Sequence, residues 1–258
     1  METQMLTAAL AVLCGSLVGF ILALIGGGGS ILATPLLLYV VGMRDPHLAI
    51  GTGALAVSAN AFMNLAHHAR AGNVRWKVGA MFAFTGVCGA FAGSSLGKIV
   101  DGQRLLLAFA ALMILVAGLM LRPRKPAPDA AAALDLRGTL GVGGTGLAVG
   151  MLSGFFGIGG GFLIVPGLVM AARLRMINAI GTSLLAVGAF GLTTAVNYAA
   201  SGLVDWLVAA EYIAGGLIGG QFGLRAALHL APRKNALTQV FAAVIIAVAL
   251  YIIWRGVA

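Results

Sequence analysis

Two glycine clusters, each followed by a proline, are the residues of this 258-residue chain best suited to chemistry. The first is Gly26, Gly27, Gly28, Gly29 and Ser30 ahead of Pro35; the second is Gly157, Ile158, Gly159, Gly160 and Gly161 ahead of Pro166. Glycine costs about 1 kcal/mol relative to alanine in a helix interior, so each cluster predicts a helix break. A helix that restarts after a break offers free backbone N–H groups and the positive end of its dipole. Together these can hold an anion without a charged side chain. Gly28, Gly29 and Ser30, with Gly159, Gly160 and Gly161, are therefore candidate substrate-binding residues. The competing reading is that the glycines only let helices pack closely.

Hydroxyl and amide side chains form a second group, at Thr52, Ser58, Asn60 and Asn64 and again at Thr182, Ser183, Thr193, Thr194 and Asn197. They can donate hydrogen bonds to an oxyanion or join helices to one another. Thr52, Thr182, Ser183, Asn60 and Asn197 complete the candidate substrate-binding set. Glu211 is the one carboxylate well inside an apolar stretch. Ionisable groups at depth are functional candidates, so Glu211 is a candidate coupling residue, although its place five residues after Trp206 also suits the membrane interface. His67 and His68 read as interfacial.

Several motifs fall away. Gly141, Gly143 and Gly146 spell a dinucleotide fingerprint but lie in an apolar run with no preceding strand. No phosphate-loop GK[ST] follows either glycine cluster. Cys14 and Cys88 lack metal or disulfide spacing. No nucleophile–base pair or metal cluster stands out, so the reading is of a protein that is not an enzyme, with no catalytic residue, metal or cofactor.

The elements that position these residues follow from composition. The chain is 60% hydrophobic and only 9% charged, where soluble domains carry roughly 25% charged residues. Apolar runs of about 20 residues, the length of a membrane span, alternate with short charged islands. The net charge of +9 sits at the ends of those runs, which suits lipid headgroups and the orientation rule rather than nucleic acid. Met1 to Thr7 carries no basic n-region, so the first apolar run reads as a retained helix. The predicted fold class is an all-α polytopic membrane protein.

The chain repeats itself. Gly26–Pro35 matches Gly157–Pro166, Ala49–Gly53 matches Ala179–Ser183, and His67–Trp76 matches Asn197–Trp206, all at an offset near 130. The expected organisation is a first helical repeat over residues 1–121, a cytoplasmic linker over 122–137 rich in Pro, Ala and Arg, and a second repeat over 138–258. Each half divides into five apolar segments, the second of them only about half a span long. With five crossings per half the repeats are inverted, and only Arg44, Lys98, Arg104 and Arg255 of the 16 Lys and Arg residues lie outside. With four per half, eight crossings in all, the basic residues split evenly. Cytoplasmic loops are the basic ones, which favours five segments, inverted repeats and both termini outside.

At the paired glycine–proline motifs and the triplets Ile50–Thr52 and Ile180–Thr182, the sequence resembles the TauE/SafE sulfite exporter family of membrane permeases. The resemblance covers almost the entire chain; Ser30 departs from the doubled pattern, standing where the second repeat has Gly161. It implies movement of small sulfur-containing anions, such as sulfite, sulfonates or thiosulfate, across a prokaryotic cytoplasmic membrane. The expectation is a secondary transporter whose partners are a small anionic substrate and the lipid bilayer, with no nucleic acid and with association of like subunits left open. A passive anion channel and a membrane assembly partner without transport are the alternatives.

Overall fold

The computed structural model describes residues 2–121, 136–156, 161–230 and part of 239–254. Among these residues the secondary structure is helical, with no strand. In chain order the helices are α1 (Glu2–Ile25), α2 (Ala33–Tyr39), α3 (Pro46–Arg70), α4 (Trp76–Gly97), α5 (Gly102–Leu121), α6 (Leu136–Phe156), α7 (Gly161–Ala171), α8 (Met176–Ala199) and α9 (Trp206–Leu230). A 3-10 segment, Gly26–Leu32, joins α1 to α2. Residues Met5–Ile25, α3, α4, α8 and α9 are each long and apolar enough to cross a membrane. Large apolar side chains such as Phe84, Phe91, Leu207 and Phe222 project outward, where lipid can cover them. The protein is an all-α polytopic membrane protein.

α3 and α8 form the centre: 72% of the apolar window of each is buried, against 44% for α4 and α9. They cross where the Ser58 hydroxyl donates to the Gly188 carbonyl at 2.7 Å. On either side of that point Phe62 meets Gly188, and Gly191 meets Ser58 and Ala54. Low numbers on α3 meet high numbers on α8, so the two helices run antiparallel.

Around this centre α1 packs along α9 and α4 along α6. Gly15 and Gly19 stand over the carbonyls of Tyr212 and Gly216, while Gly215, Gly219 and Gly223 stand over those of Val12, Ser16 and Phe20. In the other pair Gly150 and Gly154 meet Gly86 and Ala90, and Gly89, Gly93 and Gly97 meet Leu147, Met151 and Phe155. Numbers rise together in both pairs, so these helices are parallel. With little hydrophobic force between helices in lipid, backbone approach through small residues supplies the packing. The four-residue glycine stripes are thus packing surfaces.

The turns after α3 and α8 have the same geometry. Gly72 and Gly202 both take φ of 72°, and the Asn73 and Leu203 N–H groups donate to the His68 and Tyr198 carbonyls at 3.0 Å. This left-handed closure of a helix end needs glycine at the turn. Each turn then reaches the start of the other central helix. The Arg75 N–H donates to the Thr182 hydroxyl and the Asp205 N–H to the Thr52 hydroxyl, both at 2.9 Å. Consequently the α3–α4 turn and the start of α8 share one end of the bundle, and the α8–α9 turn and the start of α3 share the other.

Helix starts differ between those ends. Asp45 caps α3 through the His47 and Leu48 N–H groups, and Asp205 caps α9 through Leu207 and Val208. The corresponding first positions of α8 and α4 are Arg175 and Arg75, with no side-chain cap. A cation beside the positive end of a helix is locally unfavourable. Charge here follows the end of the bundle, not the needs of the helix.

Element boundaries differ slightly from the sequence reading. α6 begins at Leu136, two residues before the expected second repeat, and takes in the last residues of the expected linker. The expected half-span second segment of the first half takes the form of a 3-10 segment running directly into a seven-residue helix. Hydrogen bonding of the free donors after Gly26 is tighter in a 3-10 turn, which explains why the break is compact.

Candidate functional site

The first glycine cluster interrupts the helix inside the bundle. α1 ends at Ile25, and Gly26 follows at φ 71°, a left-handed conformation that glycine enters without a Cβ penalty. Gly26, Gly27, Gly29 and Ser30 are all buried. Gly29 folds back against the backbone of Leu22, one turn before the end of α1. The Ser30 hydroxyl donates to the Gly27 carbonyl at 2.7 Å.

The segment also traverses the bundle. Gly26 abuts Ile180 and Ser183 of α8, within two turns of that helix's start; Ala33, Thr34 and Leu37 abut Gly53, two turns into α3. Those starts lie at opposite ends. Seven residues at about 2.0 Å each and seven at about 1.5 Å give Gly26–Tyr39 a reach of about 25 Å, close to the roughly 30 Å of bilayer hydrocarbon. The 3-10 stretch makes up the first half of that path and packs against α7 and α8.

Ser183 joins this break to α8. Its hydroxyl accepts the Gly27 N–H at 3.2 Å and donates to the Ile180 carbonyl at 2.7 Å. Beside it, the buried Thr182 is turned toward the Arg75 N–H, and Thr52 makes the matching bond to Asp205. Of the sequence candidates, Ser30 and Ser183 therefore come together through Gly27, with Gly28 and Gly29 in the same 3-10 segment and Thr182 adjacent in α8. Gly159 and Gly160 lie outside the described residues; Gly161 begins α7.

Other candidates lie apart. Asn60, midway along α3, presses on Gly216 of α9, and neither end of its buried amide has a hydrogen-bond partner. Asn64 and His68 continue the same face, donating to the Gly19 carbonyl at 3.5 Å and meeting the Ala23 carbonyl at 2.9 Å. Asn197 sits near the far end of α8, bonded to Lys98, Ser94 and Ser95. Glu211 is half-buried in the second turn of α9.

Sequence reasoning treated Lys98 only as a loop charge. The structure shows Lys98 Nζ donating to the Asn197 carbonyl, the Asn197 side-chain oxygen and the Ser201 hydroxyl at 3.2, 2.8 and 2.9 Å. Asymmetry between the repeats was the available signal, since the matched position is Leu228.

A family model described as "Sulfite exporter TauE/SafE" matches residues 11–252. The chain belongs to that family. It is 56% identical over 243 residues to a "Probable membrane transporter protein" of Xylella fastidiosa (strain 9a5c), covering 94% of this chain and 93% of that one. More distant relatives include "Probable membrane transporter protein YdhB" of Bacillus subtilis, 26% identical with 92% of this chain and 100% of the relative covered. A "Probable membrane transporter protein" of Methanocaldococcus jannaschii is 29% identical, with 80% and 74% covered. No solved structure matches. Membership of the family and these names make the chain a membrane transporter.

Proposed function

We propose that the chain is a secondary transporter of small, sulfur-containing anions, built as two inverted repeats that bind the anion at their paired glycine breaks. The observation that carries this reading is the buried 3-10 crossing at Gly26–Leu32. Irregular backbone at membrane depth is tolerated where it is buried in protein or lines a cavity, and paired interrupted segments are where transporters of repeated architecture bind their cargo.

Ser183 indicates how binding would work. Its hydroxyl oxygen occupies the acceptor position on the Gly27 N–H, the place an anion oxygen would take. A charged acceptor makes a stronger bond to an amide than a neutral hydroxyl does, so a sulfite-like oxygen can displace it. At the break of the second repeat the partner matched to Ser183 is Gly53 of the first repeat, without a hydroxyl. There the N–H groups around Gly159–Gly161, at the start of α7, would meet the anion directly. Thr52 and Thr182 would hold the two halves in register beside the site.

The antiparallel crossing of α3 and α8, repeat-matched helices, is what an inverted repeat requires. Arg70, Arg75, Lys77, Arg173, Arg175 and Arg225 belong to one end of the bundle and Arg44, Lys98 and Arg104 to the other. The first end is then cytoplasmic, both termini lie outside, and residues 122–137 form the cytoplasmic link between repeats in a prokaryotic inner membrane. Rocking of one repeat against the other would expose the site alternately.

The test is flux in liposomes. Wild-type protein should carry sulfite or thiosulfate with saturable kinetics, and Gly160→Leu should abolish flux while the protein still inserts. Undiminished flux in that variant overturns the site.

A further inference from the structure

A cluster separate from the glycine breaks surrounds Tyr198, at the bundle end that carries the α8–α9 turn. Lys98, the first residue of the α4–α5 turn, gives its N–H groups to three neutral oxygens of Asn197 and Ser201. Among the described residues no carboxylate pairs with it; Asp101, nearest in sequence, is turned to the Arg104 N–H at 3.0 Å. The ammonium also lies 6.0 Å from the centre of the Tyr198 ring, and the centre of the His47 ring lies 6.3 Å from that of the same ring. The Tyr198 hydroxyl and His47 Nδ1 are buried and have no hydrogen-bond partner.

A half-buried cation without a counter-charge, next to two unused polar groups, is an unbalanced arrangement. Buried polar groups ordinarily find partners, and a positive charge held among neutral oxygens attracts an anion more strongly than one already paired. The repeat-matched positions at the opposite end lack it: Leu228 stands for Lys98, Ile177 for His47 and Ala71 for Ser201. The cluster therefore belongs to one mouth of the protein and is not a consequence of the duplicated fold.

We propose that Lys98, Tyr198 and His47 form an anion-receiving vestibule at the outer mouth, distinct from the central glycine site. Its ligand is a small oxyanion. One oxygen accepts a hydrogen bond from Lys98 Nζ in place of the Ser201 hydroxyl; others can accept from the Tyr198 hydroxyl and an imidazole N–H. Asn197, bound to Ser94 and Ser95 at 2.7 and 3.0 Å, holds the ammonium in position. The nature of the ligand rests on the anion reading of the transporter, but the site does not depend on the central mechanism.

The test is equilibrium binding of sulfite and thiosulfate to the full chain in detergent, by calorimetry. Lys98→Gln should weaken binding about tenfold or more, the loss of one charge-assisted contact. Tyr198→Phe should weaken it less. Lys98→Arg and Ser201→Ala, which disturb the same network but keep the charge, should bind much as wild type does, so a fold defect is separable from loss of charge. Gly160→Leu should retain Lys98-dependent binding even as it stops flux. Wild-type affinity in Lys98→Gln, or absence of binding in the wild type, overturns the vestibule. Lys98-dependent binding in a protein that carries no anion through liposomes instead overturns the transport reading and leaves the vestibule standing.

Discussion

Thr52 and Thr182 make the same hydrogen bond in opposite directions. Each hydroxyl, buried near the start of a central helix, accepts the N–H of the residue before the fourth helix of the other half, at 2.9 Å. Beside them Gly51 meets the Leu203 carbonyl and Gly181 the Asn73 carbonyl. The two halves are thus latched at both ends of the bundle by one motif used twice. Replacing either threonine with valine keeps the shape but strands an amide, at a cost of about 1–2 kcal/mol. Thermal unfolding in detergent should show Thr52→Val and Thr182→Val losing similar stability, with serine at either position restoring most of it. A loss of anion affinity with no loss of stability would identify these hydroxyls as ligands instead.

The charges at helix starts set two rules against each other. Asp45 and Asp205 cap their helices, whereas Arg75 and Arg175 occupy the matched starts at the other end. Aspartate in place of arginine would gain a cap of about 1 kcal/mol, and under the proposed orientation the arginines stand at the cytoplasmic end, where the charge rule places them. Cysteines introduced at the exposed, nearly matched positions Ala71 and Ala200, with Cys14 and Cys88 replaced by alanine, report on this. In intact cells an impermeant thiol reagent should label Ala200→Cys and spare Ala71→Cys. Adding Arg75→Asp and Arg175→Asp should lower the yield of correctly inserted protein despite the better caps. Labelling of both positions would refute the proposed orientation.

Much of this was readable in the chain, and the limit has a physical basis. Matching Gly26–Pro35 to Gly157–Pro166 reveals which positions are equivalent, and the cost of glycine in a helix locates the break. Equivalence does not reveal contact. That Thr52 meets Asp205, or that Ser183 reaches Gly27, depends on how the halves dock, and no local periodicity encodes docking. Asn197 was visible as a polar residue in an apolar helix, but its partners Lys98, Ser94 and Ser95 are about a hundred residues away. The glycine stripes are legible as packing surfaces, because spacing alone puts Gly89 and Gly93 on one helix face.

Those stripes sort glycines by what a methyl group would strike. A Cβ at Gly215 or Gly219 would collide with the carbonyl of Val12 or Ser16, backbone that cannot turn aside. At Gly141 and Gly144 on α6 nothing lies within 4 Å. Gly219→Ala and Gly89→Ala should therefore each lose about 1–3 kcal/mol, whereas Gly144→Ala should gain up to about 1 kcal/mol from helix propensity. Thermal unfolding of the three variants checks the order, and a stabilising Gly219→Ala would contradict the close α1–α9 packing.

Asn60 separates a structural amide from a functional one. Its matched residue is Phe190, whose ring presses on Gly86 much as the Asn60 amide presses on Gly216, so an apolar side chain is accommodated in this setting. Both ends of the Asn60 amide are buried without partners, an arrangement that costs stability and that an apolar substitute of similar volume relieves. Asn60→Leu should raise the unfolding temperature by a few degrees, about 1 kcal/mol for a chain of this size. If the amide is kept because the anion passes it, the same variant should lose most of its flux in liposomes while inserting normally. A stabilised variant with wild-type flux would remove Asn60 from the transport path and leave the glycine breaks to carry the anion alone.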